Sequence, residues 1–136
     1  MKEDTIVALA TPAGVGAISV IRISGNKAFD ATDKFFSGKV KIKNSASHTI
    51  HYGNIKNQDG EHIDDVLVSV FRAPNSYTGE DSVEISTHGN PLITQKVIEL
   101  LITVDDVRLA EPGEFTKRAF LNNRIDLAEA EAVADI

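Results

Sequence analysis

Hydrophobic and polar positions divide the start of this chain into two strands and a loop. The apolar run at 5–10 has the length of a strand, and residues 17–24 alternate as in a second strand. In that second strand Val20 and Arg22 share one face. Residues 11–16 contain one proline and two glycines, which predicts a loop. The chain therefore opens with two strands joined by a glycine-bearing loop.

A helix and a pair of strands are predicted to follow. The helix opens at 24–26 and closes at Gly38, because the aromatic residues between them fall at helical spacing. Beyond a polar loop, residues 48–55 and 63–72 predict two strands around a turn-forming sequence.

The second half of the chain gives further strand and helix signals. Residues 82–88 alternate, with Glu84 on the polar side, which is typical of a half-buried strand. Asn90 as N-cap, followed by proline, predicts a firm helix. A short strand at 107–110 and helical turns at 116–121 are predicted after it.

A last helix is predicted from Asp126, which forms a capping-box pattern with Glu129. No glycine or proline ends this helix before Ile136, so we interpret the chain as a piece of a longer protein. Taken together, the pattern predicts a soluble α+β domain with polar loops.

Composition narrows the classes of function. The 136 residues suffice for one domain, and the lack of cysteine excludes disulfides, thiol catalysis and zinc–thiolate sites. A net charge of -6 argues against a broad nucleic-acid-binding face, and we interpret the lysines at 39, 41 and 43 as a solvated face. No apolar run approaches ~20 residues, so no membrane span is predicted, and the N-terminus does not resemble a signal peptide.

Three charged residues are candidate ligand contacts, and each also has a plainer interpretation. Arg22 is either an edge or surface arginine or a guanidinium that projects into a pocket. Glu84 is either an exposed strand carboxylate or an acceptor of two parallel N–H bonds, as from a pterin or guanine ring. Arg124 is either a surface cation near Asp126 or a further ligand contact.

Other polar motifs carry weaker indications. The loop at 11–16 lacks the Gly-Lys-Ser/Thr of a phosphate loop, so it is either a structural turn or a turn that a ligand or partner approaches closely. The acidic pairs at 64–65 and 80–81 are interpreted as turn or surface residues rather than metal ligands. His88 is interpreted as a structural histidine, since no Ser-His-Asp or Cys-His arrangement is apparent.

Four strings of the sequence carry a family resemblance, namely 4–12, 21–25, 73–84 and 111–131. Together they resemble the N-terminal domain of the MnmE (or TrmE) family of tRNA-modification GTPases. The resemblance extends from Asp4 to Ile136. The first loop departs from the family's frequent Pro-Pro-Gly-Arg-Gly-Gly string, so a contact from an arginine in that loop is not carried over.

The resemblance implies a fold and a ligand. The fold would be a mixed β-sheet with packed helices, similar to the tetrahydrofolate-binding domain of the aminomethyltransferase (glycine-cleavage T-protein) family. A ligand of the 5-formyl-tetrahydrofolate type would contact Arg22, Glu84 and Arg124, with Glu84 on the pterin; the family often has lysine at the third position. Residues 1–121 would form the folate-binding and dimerisation domain, and 122–136 would begin a helical domain.

For the full-length protein, the resemblance implies a cytoplasmic GTPase that uses GTP, Mg and K. With its partner MnmG it would modify the wobble uridine of tRNA to the 5-carboxymethylaminomethyl type, with folate linked to the one-carbon unit. This chain alone is expected to form a homodimer and, without a phosphate loop, to have no catalytic residues. Two alternatives stay open: a folate-dependent one-carbon transferase of the aminomethyltransferase type, and a dimerisation module without ligand.

Overall fold

A computed structural model describes residues 4–12, 14, 16–126 and 128. These residues form a seven-stranded sheet and three α-helices. In chain order the elements are β1 Thr5–Leu9, β2 Ile18–Ser24, α1 Ala28–Phe35, β3 Phe36–Gly38, a 3-10 turn Ile42–Asn44, β4 Thr49–Lys56, β5 His62–Phe71, β6 Ser82–His88, α2 Pro91–Leu101, β7 Val107–Leu109 and α3 Glu114–Leu121.

The sheet is mixed, with the strand order β3-β4-β5-β6-β2-β1-β7. The pairs are antiparallel except for β1 with β7, which run parallel. The α+β prediction, a mixed sheet with packed helices, is therefore confirmed. No helix among the described residues is long and apolar enough to cross a bilayer.

The hydrophobic core lies on one face of the sheet. Alternate strand residues such as Ile21, Val68 and Ile85 are fully buried there, and α1 and α2 pack against this face. Burying each of these side chains is worth about 1.5–3 kcal/mol relative to leaving it in water. We call this the helix-covered face.

Among the described residues, the opposite face is covered at one end only. Strand register places Arg22, Glu84 and Ser69 in one row across this face. The loop at 73–81 and helix α3 lie over the end beyond this row, where Ser24 hydrogen-bonds to the loop. The rest faces solvent, so we call it the open face.

Helix α1 differs from its prediction at both ends. It begins at Ala28 rather than at 24–26, because Gly25 has a φ of 137°, which no helix accommodates. It ends at Phe35, and Phe36 begins the edge strand β3. The Phe36 ring packs over Gly53, where a Cβ would lie 2.6 Å from the ring. The strand pairing and this ring contact outweigh the helical spacing of the aromatic residues.

The later helices agree better with prediction. Asn90 caps α2, because its side chain accepts a hydrogen bond from the Leu92 N–H at 2.8 Å. Helix α3 begins two residues before the predicted turns, at Glu114. Apart from Asp126 and Ala128, the predicted last helix lies outside the described residues. The domain boundary at 121 stays a prediction.

Candidate functional site

Arg22 and Glu84 are brought together by the sheet itself. They are direct partners in the antiparallel register of β2 and β6. The Arg22 Nε and Nη2 groups both donate to Glu84 Oε2, each at 3.0 Å. The two side chains are 24% and 29% exposed. Neither is a plain surface residue, and the pair forms a fixed polar centre on the open face.

Two aromatic rings flank this ion pair. The Arg22 Cζ atom lies 5.1 Å from the centroid of Tyr77 and 5.5 Å from the centroid of Phe115. These are cation–π distances. Tyr77 belongs to the loop at 73–81, and Phe115 belongs to α3. The two segments that cover the open face therefore meet at Arg22.

A groove of about 640 Å³ opens beside Arg22. Its walls come from the end of β1 and the loop after it, residues 8–12, and from residues 110–113, 115 and 116. Arg22 and Tyr77 complete the lining. The walls are mostly apolar and carry few charges, which suits a flat ring system that brings a few polar atoms to fixed partners. We call this cavity the Arg22 groove.

Arg124 lies elsewhere, in a second cavity of about 410 Å³ lined also by His48, Phe71 and residues 75–77. Its Nε donates to the Ser76 carbonyl oxygen at 3.0 Å. We call this cavity the Arg124 recess. Tyr77 lines both cavities. Arg22 and its partner Glu84 therefore lie on one side of Tyr77, and Arg124 lies on the other.

A glycine allows the loop and the Arg124 segment to approach. Gly79 has a φ of 82°, and a Cβ there would lie 2.8 Å from Asn122 Cβ and 3.2 Å from Arg124 Cγ. The Asn122 side chain then donates to the Thr78 carbonyl oxygen at 2.8 Å. Any other residue at Gly79 would strain the backbone, clash with Asn122 and crowd the Arg124 side chain.

A buried arginine anchors α3 to the sheet. The side chain of Arg118 is 4% exposed and donates to both Glu80 oxygens at 3.1 and 3.2 Å and to the Asp4 carbonyl oxygen at 2.7 Å. Ser24 also donates to Glu80, at 2.7 Å. This network fixes the helix that carries Phe115 and so shapes the Arg22 groove.

A second ion pair holds the first turn of α3. Arg108 on β7 donates to Glu114 at 2.9 and 2.6 Å and to Asp4 at 3.1 Å. The hydrogen bonds from Arg108 lower the pKa of Glu114 to about 2, against the opposing effect of its partial burial. The same contacts raise the pKa of Arg108 further above its ordinary value. Both groups are therefore charged at neutral pH.

The acidic pairs have protein partners, but Asp64 is buried within strand β5, at 6% exposed, so the interpretation as a turn or surface residue is wrong for it. Asp64 accepts from the His88 ring at 2.7 Å, Asp65 pairs with His62, and Asp81 accepts from the Ala73 N–H at 2.8 Å. Within the described ranges, no group of three or more histidine and carboxylate side chains is placed to hold a metal. The His88 ring is hydrogen-bonded as expected, while its structural role stays a prediction.

The first loop is partly described. Thr11 accepts a hydrogen bond from the Val20 N–H at 3.1 Å, and the Gly16 N–H donates to the Gly89 carbonyl oxygen at 3.0 Å. Ala13 and Val15 lie outside the described residues. The described part of the loop approaches the chain after β6 closely.

Sequence reasoning missed three residues of the site, namely Tyr77, Phe115 and Arg118. Tyr77 and Phe115 lie in the polar strings already noted, where an aromatic residue beside turn formers is the available signal. Arg118 gave no signal, because a helical arginine is ordinarily exposed.

Comparison with known proteins shows what the chain is similar to. Residues 5–124 match the family described as the N-terminus of the GTP-binding protein TrmE. The chain is 56% identical to the tRNA modification GTPase MnmE of Acholeplasma laidlawii, over 100% of this chain and 30% of that protein. The MnmE of Listeria welshimeri is 53% identical over 100% of this chain and 29% of its own length. The MnmE of Christiangramia forsetii is 56% identical over 98% and 28%.

Proposed function

This chain belongs to the TrmE N-terminal family, and from that premise we propose that it binds a reduced folate and forms a homodimer. The ligand class is the 5-formyl-tetrahydrofolate type. The chain spans about 30% of the length of the curated relatives it matches. The activity of the whole protein is therefore a separate proposal, given last below.

The observation that carries the folate proposal is the Arg22–Glu84 pair beside its groove. Glu84 Oε2 accepts both hydrogen bonds from Arg22, and in the described part of the chain Oε1 accepts none. A pterin has adjacent N–H donors on one edge, which Glu84 Oε1 can accept. The rings of Tyr77 and Phe115 offer apolar surface to a flat ligand.

Arg124 supplies a second cationic contact. Its Nε is used by Ser76, while its two terminal nitrogens donate to no described atom. A guanidinium edge of this kind binds a carboxylate through parallel hydrogen bonds. The glutamate carboxylates of a folate, at the end opposite the pterin, fit this chemistry.

Calorimetric titration of 5-formyl-tetrahydrofolate into the chain tests the proposal. We expect binding without GTP, and a loss of about 1–3 kcal/mol in the Glu84→Gln variant, because a charged acceptor is removed. Glu99→Gln is the matched control, since Glu99 is exposed on α2 and α2 lies on the helix-covered face. Equal affinity of Glu84→Gln and wild type would exclude Glu84 from the site.

The homodimer proposal rests on the open face. Four large apolar side chains are exposed on it, namely Ile18 at 62%, Ile50 at 66%, Tyr52 at 68% and Leu67 at 46%. Tyr52 and Leu67 are direct partners in the register of β4 and β5. An apolar surface of this kind is typical of an interface between protein chains. A second copy would cover it about a two-fold axis.

The patch adjoins the row that contains Glu84, which supports a ligand site at or near the subunit contact. A ligand that binds only the dimer stabilises it by mass action. Sedimentation equilibrium with and without folate should show a dimer that folate tightens. Leu67→Lys should shift the protein to monomer, while Lys96→Ala, at an exposed position of α2, should not. A wild-type monomer at about 50 μM in both conditions would contradict the dimer, which needs roughly 1,000 Å² of contact.

For the longer protein that the relatives represent, we propose a cytoplasmic tRNA-modification GTPase. It would use GTP, Mg and K, act with MnmG, and use folate-linked one-carbon chemistry on the wobble uridine to give the 5-carboxymethylaminomethyl type. The GTP chemistry needs a phosphate loop, which this sequence lacks. We therefore expect no GTP hydrolysis by this chain, and activity that co-purifies with it through several columns would contradict that.

A further inference from the structure

We propose that Tyr77 is a positioning residue that acts on the ligand through Arg22. The inference rests on the folate-binding function proposed above. The Tyr77 ring lies 5.1 Å from the Arg22 Cζ atom, and the Phe115 ring lies 5.5 Å from it. The guanidinium is therefore in contact with rings from two separate segments of the chain.

Stacking fixes the plane of the Arg22 guanidinium. An arginine can lie flat against aromatic rings while its edge donates hydrogen bonds, whereas a lysine cannot stack in this way. The Nε and Nη2 edge donates to Glu84 at 3.0 Å. Nη1 donates to no described atom and remains for a ligand in the Arg22 groove. Tyr77 thereby sets the direction in which Arg22 meets the ligand.

The hydroxyl of Tyr77 adds a hydrogen bond to α3. It shares a hydrogen bond of 2.9 Å with Thr116 Oγ1 on α3, and this joins the loop at 73–81 to α3 across Arg22. Tyr77 also lines both the Arg22 groove and the Arg124 recess. A ligand that contacts both Arg22 and Arg124 must therefore pass the Tyr77 ring.

A double-mutant cycle on 5-formyl-tetrahydrofolate affinity tests this role. We expect Tyr77→Phe, which keeps the ring, to bind within about threefold of wild type, and Tyr77→Leu to bind about tenfold more weakly. Arg22→Lys should also cost about tenfold alone, but less than about threefold when added to Tyr77→Leu, because the stacking is already lost. Glu99→Gln, at an exposed position of α2 on the helix-covered face, is the control and should bind as wild type.

Two outcomes of the cycle would overturn the proposal. One is wild-type affinity in Tyr77→Leu. The other is an Arg22→Lys cost that is the same in both backgrounds, because a tyrosine that only supports the fold would give independent effects.

A measurement without ligand separates this proposal from the folate proposal. Aromatic rings shift the NMR signal of a stacked arginine Nε–H group, so Tyr77→Leu should move the Arg22 Nε–H signal and speed its exchange with water. Arg72, whose Cζ atom lies 4.8 Å from the Phe29 centroid, is the internal control and should not change. An unmoved Arg22 signal overturns the positioning role. A moved signal in a protein that binds no folate overturns only the folate function.

Discussion

The two faces of the sheet are built from the same strands with different chemistry. On the helix-covered face, β6 contributes Val83 and Ile85, which are both fully buried. On the open face the same strand contributes Glu84, whose carboxylate is bonded to Arg22. Alternate residues of one strand therefore supply the core and the candidate site.

The difference shows how a small domain can hold polar groups rigidly without a second core. Apolar packing on the helix-covered face is nondirectional, so it tolerates many side chains of similar volume. Buried or half-buried charges on the open face instead need particular partners, as Arg22 needs Glu84 and Arg118 needs Glu80. We expect substitutions on the two faces to lower the free energy of unfolding for different reasons.

The sharpest test of the comparison uses two neighbouring residues of β6. Ile85→Ala should lower the free energy of unfolding by about 2–5 kcal/mol, because it opens a cavity in a fully buried position. Ser86→Ala, one residue on and on the open face, should change it by less than about 0.5 kcal/mol. Urea unfolding monitored by circular dichroism measures both. Similar losses in the two variants would contradict the division of roles between the faces.

Most of the strands and their faces are predictable from local sequence. The alternation in 82–88 is enough to put Glu84 on the face opposite the core, and the cap at Asn90 is enough to locate α2. The predicted end of α1 is wrong, since Phe36 joins a strand through contacts with the distant Gly53. The spacing of residues within a short segment cannot reveal a contact with a residue so distant in the sequence.

The assembly of the site is less predictable than its members. Arg22 and Glu84 are both candidates from the sequence, but their pairing depends on β2 lying beside β6, which is set by the strand order of the whole sheet. The same holds for Tyr77 and Phe115, which meet at Arg22 from different segments. Ligand contacts by Arg22, Glu84 and Arg124 stay predictions that the titrations above test.

The second prediction concerns the charges under the covered end of the open face. Arg118→Met should lower the free energy of unfolding by about 2–4 kcal/mol, because it leaves the Glu80 carboxylate without its buried partner. Adding Glu80→Gln should recover about half of that loss, since both charges are then gone and the amide oxygen can still accept from Ser24.

The matched control for this pair is Lys117→Met, at the exposed position next to Arg118 on α3. It should change the free energy of unfolding by less than about 0.5 kcal/mol. If the double variant is less stable than Arg118→Met alone, the cost comes from lost packing rather than from an unpaired charge. The stability contributed by this part of the open face would then depend on side-chain packing, as it does on the helix-covered face.

The smallest expected effect is a loss of folding stability at acid pH, caused by a carboxylate on α3 over the open face. The pKa of Glu114 is lowered to about 2 in the folded chain, chiefly by the hydrogen bonds from Arg108. In the unfolded chain it returns to an ordinary value of about 4.3. A lowered pKa in the folded state stabilises the fold above the unfolded value, and this contribution is lost as the pH falls from about 4.5 toward 2. Because Arg108 is 41% exposed, we expect the contribution to be about 1 kcal/mol.

Glu114→Gln removes this contribution, since a glutamine does not titrate. The difference between the free energies of unfolding at about pH 6 and about pH 3 should therefore be smaller in the variant than in wild type, by about 1 kcal/mol. Glu99→Gln is the control, because Glu99 is exposed on α2 and hydrogen-bonds only to Gln95 among the described residues; its pH profile should match wild type. Ile85 is fully buried and carries no titrating group, so Ile85→Ala should lower stability equally at both pH values. If Glu114→Gln keeps the full wild-type pH dependence, the pair with Arg108 adds nothing to the anchoring of α3, and the Arg118 network and packing hold that helix over the site.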